Sequence, residues 1–295
     1  MYNLSHATIL LGGRNLEKEI NHPKHAISPV IVEVEKGKYK CLGTCFFISE
    51  TGIFITADHV LEDTFPEKIP EEKKLYLDED FKKEKVITVN KGIIIPQLMP
   101  NNKVLFRKVL WTSMLSMDDT AIGVVEPMIN NHGEKIKTIP LVLSVRDAKE
   151  GDTLFTYSYP GSKTFNNSFH ITQNVSMGKV TKHYPQGRDR TLIPFPCYET
   201  RIITKGGSSG GPVFNLLGAV VGINTSGVGD THFVSKINNI LTMQVPGGGL
   251  DKMIKIEQLC ALGEIPCYMW DSKGNVQTNV NYEFRALKPE LKKST

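Results

Sequence analysis

The chain has 295 residues, 40% of them hydrophobic and 22% charged, with 25 glycines, 16 prolines and five cysteines. That composition excludes collagen-like, coiled-coil and wholly disordered classes, and no window reaches the ~18 unbroken apolar residues a membrane-spanning helix needs. The net charge of +4 is too mild for a nucleic-acid footprint, and the lysine-rich pieces at 71–74, 82–85 and 288–293 are interrupted by acids, as in solvated loops.

Residues 1–13 have no basic n-region and only a short apolar stretch, so no signal peptide is expected. The corresponding expectation is a cytoplasmic, reducing location with no membrane association. The odd cysteine count lacks regular spacing. Neither Cys41 with Cys45 nor Cys260 with Cys267 has histidine companions at zinc spacing, so buried free thiols are expected and no metal site.

After an N-terminal extension at 1–24, short β-branched, aromatic or alternating runs succeed one another. Strands are predicted at 28–35, 45–49, 52–56, 85–90, 105–110 and 120–125. A second set is predicted at 154–158, 169–173, 178–181, 197–203, 212–215, 219–224 and 233–236. Glycine, proline and asparagine between them point to barrels or sandwiches rather than βαβ units. Residues 62–90 read as a charged surface excursion. Residues 126–140, with two prolines and an Asn-Asn-His-Gly stretch, read as a linker. The chain then divides into an all-β unit at 25–130, a second at 131–249, and a C-terminal segment at 250–295. In that last segment the apolar spacing of 250–262 predicts a short amphipathic helix, and 288–295 a frayed tail.

The chemistry concentrates in Gly206-Gly207-Ser208-Ser209-Gly210-Gly211-Pro212. A hydroxyl nucleophile attacking a carbonyl needs backbone N–H groups aimed at the developing oxyanion, and glycine upstream lets the chain turn to supply them. A Gly/Ser stretch can also be a flexible loop. Predicted strands on both sides argue instead for a tight, fixed bend. Serine needs a base, itself oriented by a carboxylate. His59 comes after a predicted strand in Thr56-Ala57-Asp58-His59, whereas His22, His25, His132 and His183 sit in polar, irregular contexts. Asp119 heads the apolar run 120–125, with Asp118 the competing acid. Asp58 adjoins the histidine and, on a strand, would point to the opposite face.

Taken in order, these residues resemble a chymotrypsin-fold, trypsin-like serine peptidase, nearest the bacterial HtrA-like branch. Thr56-Ala57-Asp58-His59 is similar to that family's Thr-Ala-Ala-His, with Asp58 a departure. Asp119-Thr120-Ala121-Ile122 is similar to its Asp-x-Ala-hydrophobic motif. Gly207-Ser208-Ser209-Gly210-Gly211-Pro212 is similar to its Gly-x-Ser-Gly-Gly-Pro. Three motifs in family order are specific where one would be weak. The resemblance spans roughly 25–245 and implies an all-β fold of two packed six-stranded antiparallel barrels. It implies His59, Asp119 and Ser209 as catalytic residues, the N–H groups of Gly207 and Ser209 as oxyanion hole, and no metal or organic cofactor. It places Ile203 at the base of the primary pocket, implying a small or medium apolar P1 side chain. It also implies that Thr225, Ser226 and Gly227 are a substrate-binding edge.

Departures from the family accompany these matches. The position before the nucleophile is Ser208, where digestive relatives carry an acid that pairs with a freed N-terminus, and no Ile-Val-Gly-Gly start occurs. Val60 stands after the histidine where those relatives have a disulfide cysteine. HtrA-like relatives carry a PDZ domain after the protease. About 50 residues lie past Val245 here, fewer than a typical domain. The implied activity is hydrolysis of a polypeptide substrate by a serine endopeptidase. The rival is a protease-like scaffold that binds a peptide or protein without cutting it. An intact Ser, His and Asp favour the enzyme.

Overall fold

The computed structural model describes residues 22–36, 38–62, 85–87, 92–101, 103–130, 132–165, 168–229, 231–247, 252–270 and 276–278. Most of the expected N-terminal extension, most of the charged excursion and the predicted tail lie outside them.

The first unit contains β1 (Ile27–Glu35), β2 (Lys38–Phe47), β3 (Ile53–Thr56), β4 (Lys85–Ile87), β5 (Ile93–Leu98), β6 (Val104–Leu115) and β7 (Thr120–Val125). Its antiparallel order is β1-β5-β6-β7-β3-β2, and β2 pairs back with β1, which closes a six-stranded barrel; β4 pairs beside β6. β5 is not expected from the sequence. It carries Pro96, and a proline inside a run argues against an internal strand. Here Pro96 is tolerated opposite Phe106 in the β5–β6 ladder.

The second unit contains β8 (Leu143–Ser144), β9 (Thr153–Ser158), β10 (Lys163–Phe165), β11 (Ser168–His170), β12 (Asn174–Tyr184), β13 (Cys197–Thr200), β14 (Pro212–Phe214), β15 (Val220–Val228) and β16 (Thr231–Lys236). The order β14-β9-β12-β13-β16-β15, with β14 paired back to β15, closes a second six-stranded barrel. The β10–β11 hairpin leaves it and pairs at Lys163 with Lys40 of β2.

Period-2 alternation explains how the barrels meet. Phe54 of β3 points into the first barrel with Phe47, Ala121 and Val125. Its neighbours Ile53 and Ile55 point the other way and join Phe46, Trp111, Ile122, Tyr157, Phe214 and Ile223 in a cluster drawn from both barrels. Val213 and Val221 fill the second barrel, while Phe214 and Val220 face the shared cluster. Strands buried on both faces read as continuous apolar runs, which is why 53–56 and 120–125 are so hydrophobic.

The predicted helix at 250–262 is corrected. Its first part is β18 (Lys252–Lys255), paired with β17 (Gln244–Gly247), and only Ile256–Ala261 is helical (α2). Ile256, Leu259 and Cys260 still reach the shared cluster, so the apolar residues are buried as expected but on two elements. Two more strands complete the described chain, β19 (Cys267–Trp270) and β20 (Val276–Thr278), with β19 parallel to β8. All five cysteines are free thiols, four buried and Cys41 partly exposed. The expected linker is irregular, but Thr138 ties it to Glu50 and to the buried Arg107 of the first barrel.

Candidate functional site

His59 and Asp119 come from adjacent strands of the first barrel. Thr56 of β3 pairs with Ala121 of β7, so the segment leaving β3 lies beside the segment entering β7. After Ala57 the chain forms one helical turn, α1 (Asp58–Glu62), anchored by buried Val60 and Leu61. Asp58 and His59 therefore diverge on a helix rather than on the strand expected from sequence. Asp58 is 3% exposed, and the His59 side chain 44%.

Asp119 comes directly after a 3₁₀ turn at Ser116–Asp118 and has φ +46°, the only positive φ at a non-glycine position among the described residues. Aspartate tolerates the left-handed region better than most side chains. That backbone turns its carboxylate onto the histidine. Oδ1 accepts from the backbone N–H of His59 at 3.3 Å and lies 2.8 Å from Nδ1. The Asp118 carbonyl accepts from Ser235 Oγ of β16 at 2.9 Å, so the second barrel steadies this turn. The Asp119 hydrogen bond raises the His59 pKa above the ordinary imidazole value. The charges of Asp119, Asp58 and Glu62 add to this, while burial opposes it.

Ser209 lies on the turn between β13 and β14. Two glycines bring the turn against the first barrel. A Cβ at Gly210, which has φ +82°, would strike Thr44 O and Thr56 Oγ1 and come within 2.9 Å of Ala57 N. A Cβ at Gly43 would lie 2.8 Å from Ser209 O and against Val60. Only glycine permits this approach, and it sets Ser209 beside the segment that carries His59.

Thr44 completes the seam. Its N–H donates to Ser209 O at 2.8 Å and its hydroxyl to Gly207 O at 2.8 Å. With the Gly207 carbonyl held toward Thr44 and φ at +92°, the amides of Gly207 and Ser209 have no partner among the described residues. The Ser209 hydroxyl donates to Thr225 O at 2.9 Å. Ser208 is fully buried. Its Oγ accepts from Ser158 Oγ at 3.0 Å and from Lys205 N at 3.4 Å.

Thr225, Ser226 and Gly227 sit beyond the last β14–β15 pair, Pro212 with Ile223, and a register shift separates Asn224 from Gly227 on the β16 side. On the Ser209 side no strand pairs with them among the described residues. Bulges of this kind re-aim backbone next to functional sites.

Ile203 lies past the end of β13 at Thr200 and is 68% exposed, whereas Ile202 is fully buried in the second barrel. Thr44 and Ser158 are not identifiable from the sequence. Their roles depend on partners 115 or more and 50 residues away, respectively, and neither lies in a motif.

No cluster of three or more metal-ligating side chains occurs among the described residues. No helix there is long and apolar enough to cross a membrane. No curated protein matches the chain. Among solved structures it is similar to an HtrA-type protease AlgW with tripeptide, at 15% identity and TM-score 0.47, covering 76% of this chain and 60% of that one. It thus spans less than two thirds of that structure's length. The family model for the trypsin-like peptidase domain matches residues 43–223, a span that holds His59, Asp119 and Ser209. That match takes in more than half of the sequence, and the chain belongs to the trypsin-like peptidase domain family.

Proposed function

We propose that the protein is a serine endopeptidase acting through an acyl-enzyme. The observation that supports this best is the 2.8 Å contact of His59 Nδ1 with Asp119, set beside a Ser209 whose amide is unpartnered together with that of Gly207 among the described residues. Ser209 Oγ attacks a peptide carbonyl, and His59 takes the proton and returns it to the leaving amine. Asp119 holds the imidazole tautomer and stabilises the imidazolium. The Gly207 and Ser209 N–H groups receive the oxyanion. These roles follow the general template for this constellation.

The Ser209 hydroxyl donates its proton to Thr225 O. A hydroxyl rotates at little cost, and such hydrogen bonds often form only once substrate is in place. Substrate backbone adds along Thr225–Gly227, occupying the Thr225 carbonyl and releasing the Ser209 hydroxyl toward His59. The activity needs no metal or organic cofactor.

The test is covalent labelling of the full chain with a small fluorophosphonate. Labelling of wild type that disappears in Ser209→Ala supports the enzyme. A folded wild-type protein that neither labels nor cleaves unfolded polypeptide is instead a binding scaffold.

A further inference from the structure

We infer that Ser235, oriented by Asn239 and joined by Thr120, is a positioning residue that keeps the Asp119 carboxylate on His59. This rests on the peptidase reading above. It makes the acid depend on the second barrel, although its own backbone belongs to the first.

Asp119 has φ +46°, a region that residues other than glycine occupy only where their surroundings hold them there. The torsion φ is the rotation between the Asp119 Cα and the peptide plane before it, and that rigid plane carries the Asp118 carbonyl. On the far side of Asp119, the pairing of Thr120 with Leu115 fixes the start of β7. Asp119 therefore relaxes toward ordinary backbone only if the Asp118 carbonyl swings. Two hydroxyls hold that carbonyl. Ser235 Oγ donates to it at 2.9 Å and Thr120 Oγ1 at 3.0 Å.

Ser235 is itself fixed. It lies on β16 between β13 and β15, paired with Cys197 on one side and Ile223 on the other. Asn239, on the 3₁₀ turn Ile237–Ile240, donates from Nδ2 to Ser235 Oγ at 3.1 Å. That bond occupies an Oγ lone pair and leaves the hydroxyl proton for Asp118 O. Thr120 Oγ1 lies 3.3 Å from Ser235 Oγ, so the two hydroxyls meet across the barrels. Both residues are fully buried. A buried hydroxyl costs more than an apolar group of the same shape unless it satisfies a partner. Here the partner is the carbonyl whose position sets the Asp119 backbone.

The experiment follows the His59 ring by NMR titration of the full chain, its signals assigned by their loss in His59→Gln. Steady-state kinetics on an unfolded protein substrate and fluorophosphonate labelling run alongside. The wild-type ring should titrate above the ordinary imidazole value, through Asp119 and the other charges acting on it, Asp58 and Glu62. In Ser235→Ala the carbonyl is released and the Asp119 contact loosens, so the ring pKa should fall. With it kcat should drop about 10- to 100-fold at little change in KM, the scale of the strain in a left-handed residue other than glycine. Thr120→Val, which keeps the shape, should move both in the same direction and carries the test if Ser235→Ala fails to fold. Ser235→Thr, which keeps the hydroxyl, should behave as wild type. Thr138→Val removes a buried hydroxyl held between Arg107 and Glu50, and should lower the melting temperature without moving either readout. Folded Ser235→Ala and Thr120→Val proteins that melt lower but keep the wild-type ring pKa and kcat overturn the inference, by making the hydroxyls a structural brace. A wild type that does not label, with a ring pKa that still falls in Ser235→Ala, overturns the peptidase reading and leaves the positioning of Asp119 standing.

Discussion

Ser208 Oγ accepts a hydrogen bond from Ser158 Oγ at 3.0 Å in a fully buried site one residue before Ser209. A neutral pair thus holds the turn from inside the second barrel, at the position where digestive relatives use a charged one. Ser208→Ala removes an acceptor from both Ser158 and Lys205, and should cost about 1–2 kcal/mol of stability. Thermal melting with fluorophosphonate labelling checks this. Ser208→Ala should still label, whereas Ser209→Ala should lose labelling and up to about a million-fold in kcat. Loss of labelling in Ser208→Ala with retention in Ser209→Ala would mean the nucleophile has been misassigned.

The same pair bears on activation. A newly freed ammonium would find no carboxylate at Ser208, and burying it unpaired would cost several kcal/mol, on the order of 3–5. Protein beginning at Met1 should therefore label without N-terminal trimming. Labelling that appears only after proteolysis, and that is lost when the new amine is acetylated, would reject this.

Asp119 Oδ1 contacts both the ring Nδ1 and the backbone N–H of His59. Asp119→Asn should favour the wrong imidazole tautomer and lower kcat by about four orders of magnitude. Asp118→Asn should be mild, because it keeps the backbone carbonyl that Ser235 and Thr120 hold and leaves the contact of Asp119 with His59 in place. Steady-state kinetics on an unfolded protein substrate would decide. Equal losses would mean that the two acids share the role.

Because the Asp119 hydrogen bond raises the His59 pKa, the neutral base is lost at a higher pH than for a free imidazole. The acid limb of kcat/KM should have its midpoint above about 6.5. Asp119→Asn replaces the charged acceptor by a neutral amide, so burial weighs more against the remaining charges of Asp58 and Glu62, and the midpoint of the residual activity should move down. Stability obeys the same linkage: the raised imidazole contributes fully below its unfolded value and loses that contribution as pH rises through its folded one. A pH–rate profile with its midpoint below the ordinary imidazole value would contradict the assignment.

Gly210 is the tightest contact between the nucleophile turn and the first barrel. Gly210→Ala combines φ +82° with overlap against Thr44 O and Thr56 Oγ1. It should destabilise the protein by on the order of 3 kcal/mol or shift the turn enough to abolish labelling. Gly206→Ala, with open space around it, should do neither. Denaturant melts of the two variants compared with wild type provide the check.

The all-β class and the order of the three candidate residues were legible in the sequence because they rest on local features. Apolar runs punctuated by turn residues mark strands, and glycines around Ser209 mark a forced bend. Asp119 was separable from Asp118 only by its distance to Ala121 in the motif; the left-handed backbone that aims it at His59 appears only in the fold. Pro96 hid β5, and the period of 250–262 fitted a helix until its pairing with β17 made half of it a strand. The surroundings of Ser209 show the limit most clearly. Counting back from Ser209 reaches Ile203, which the fold leaves exposed, whereas His232 arrives beside Gly227 by strand register and meets Thr204 across 28 residues. Register is set by barrel closure, and closure depends on every strand at once, so local sequence could specify the nucleophile's turn but not which residues the fold gathers around it.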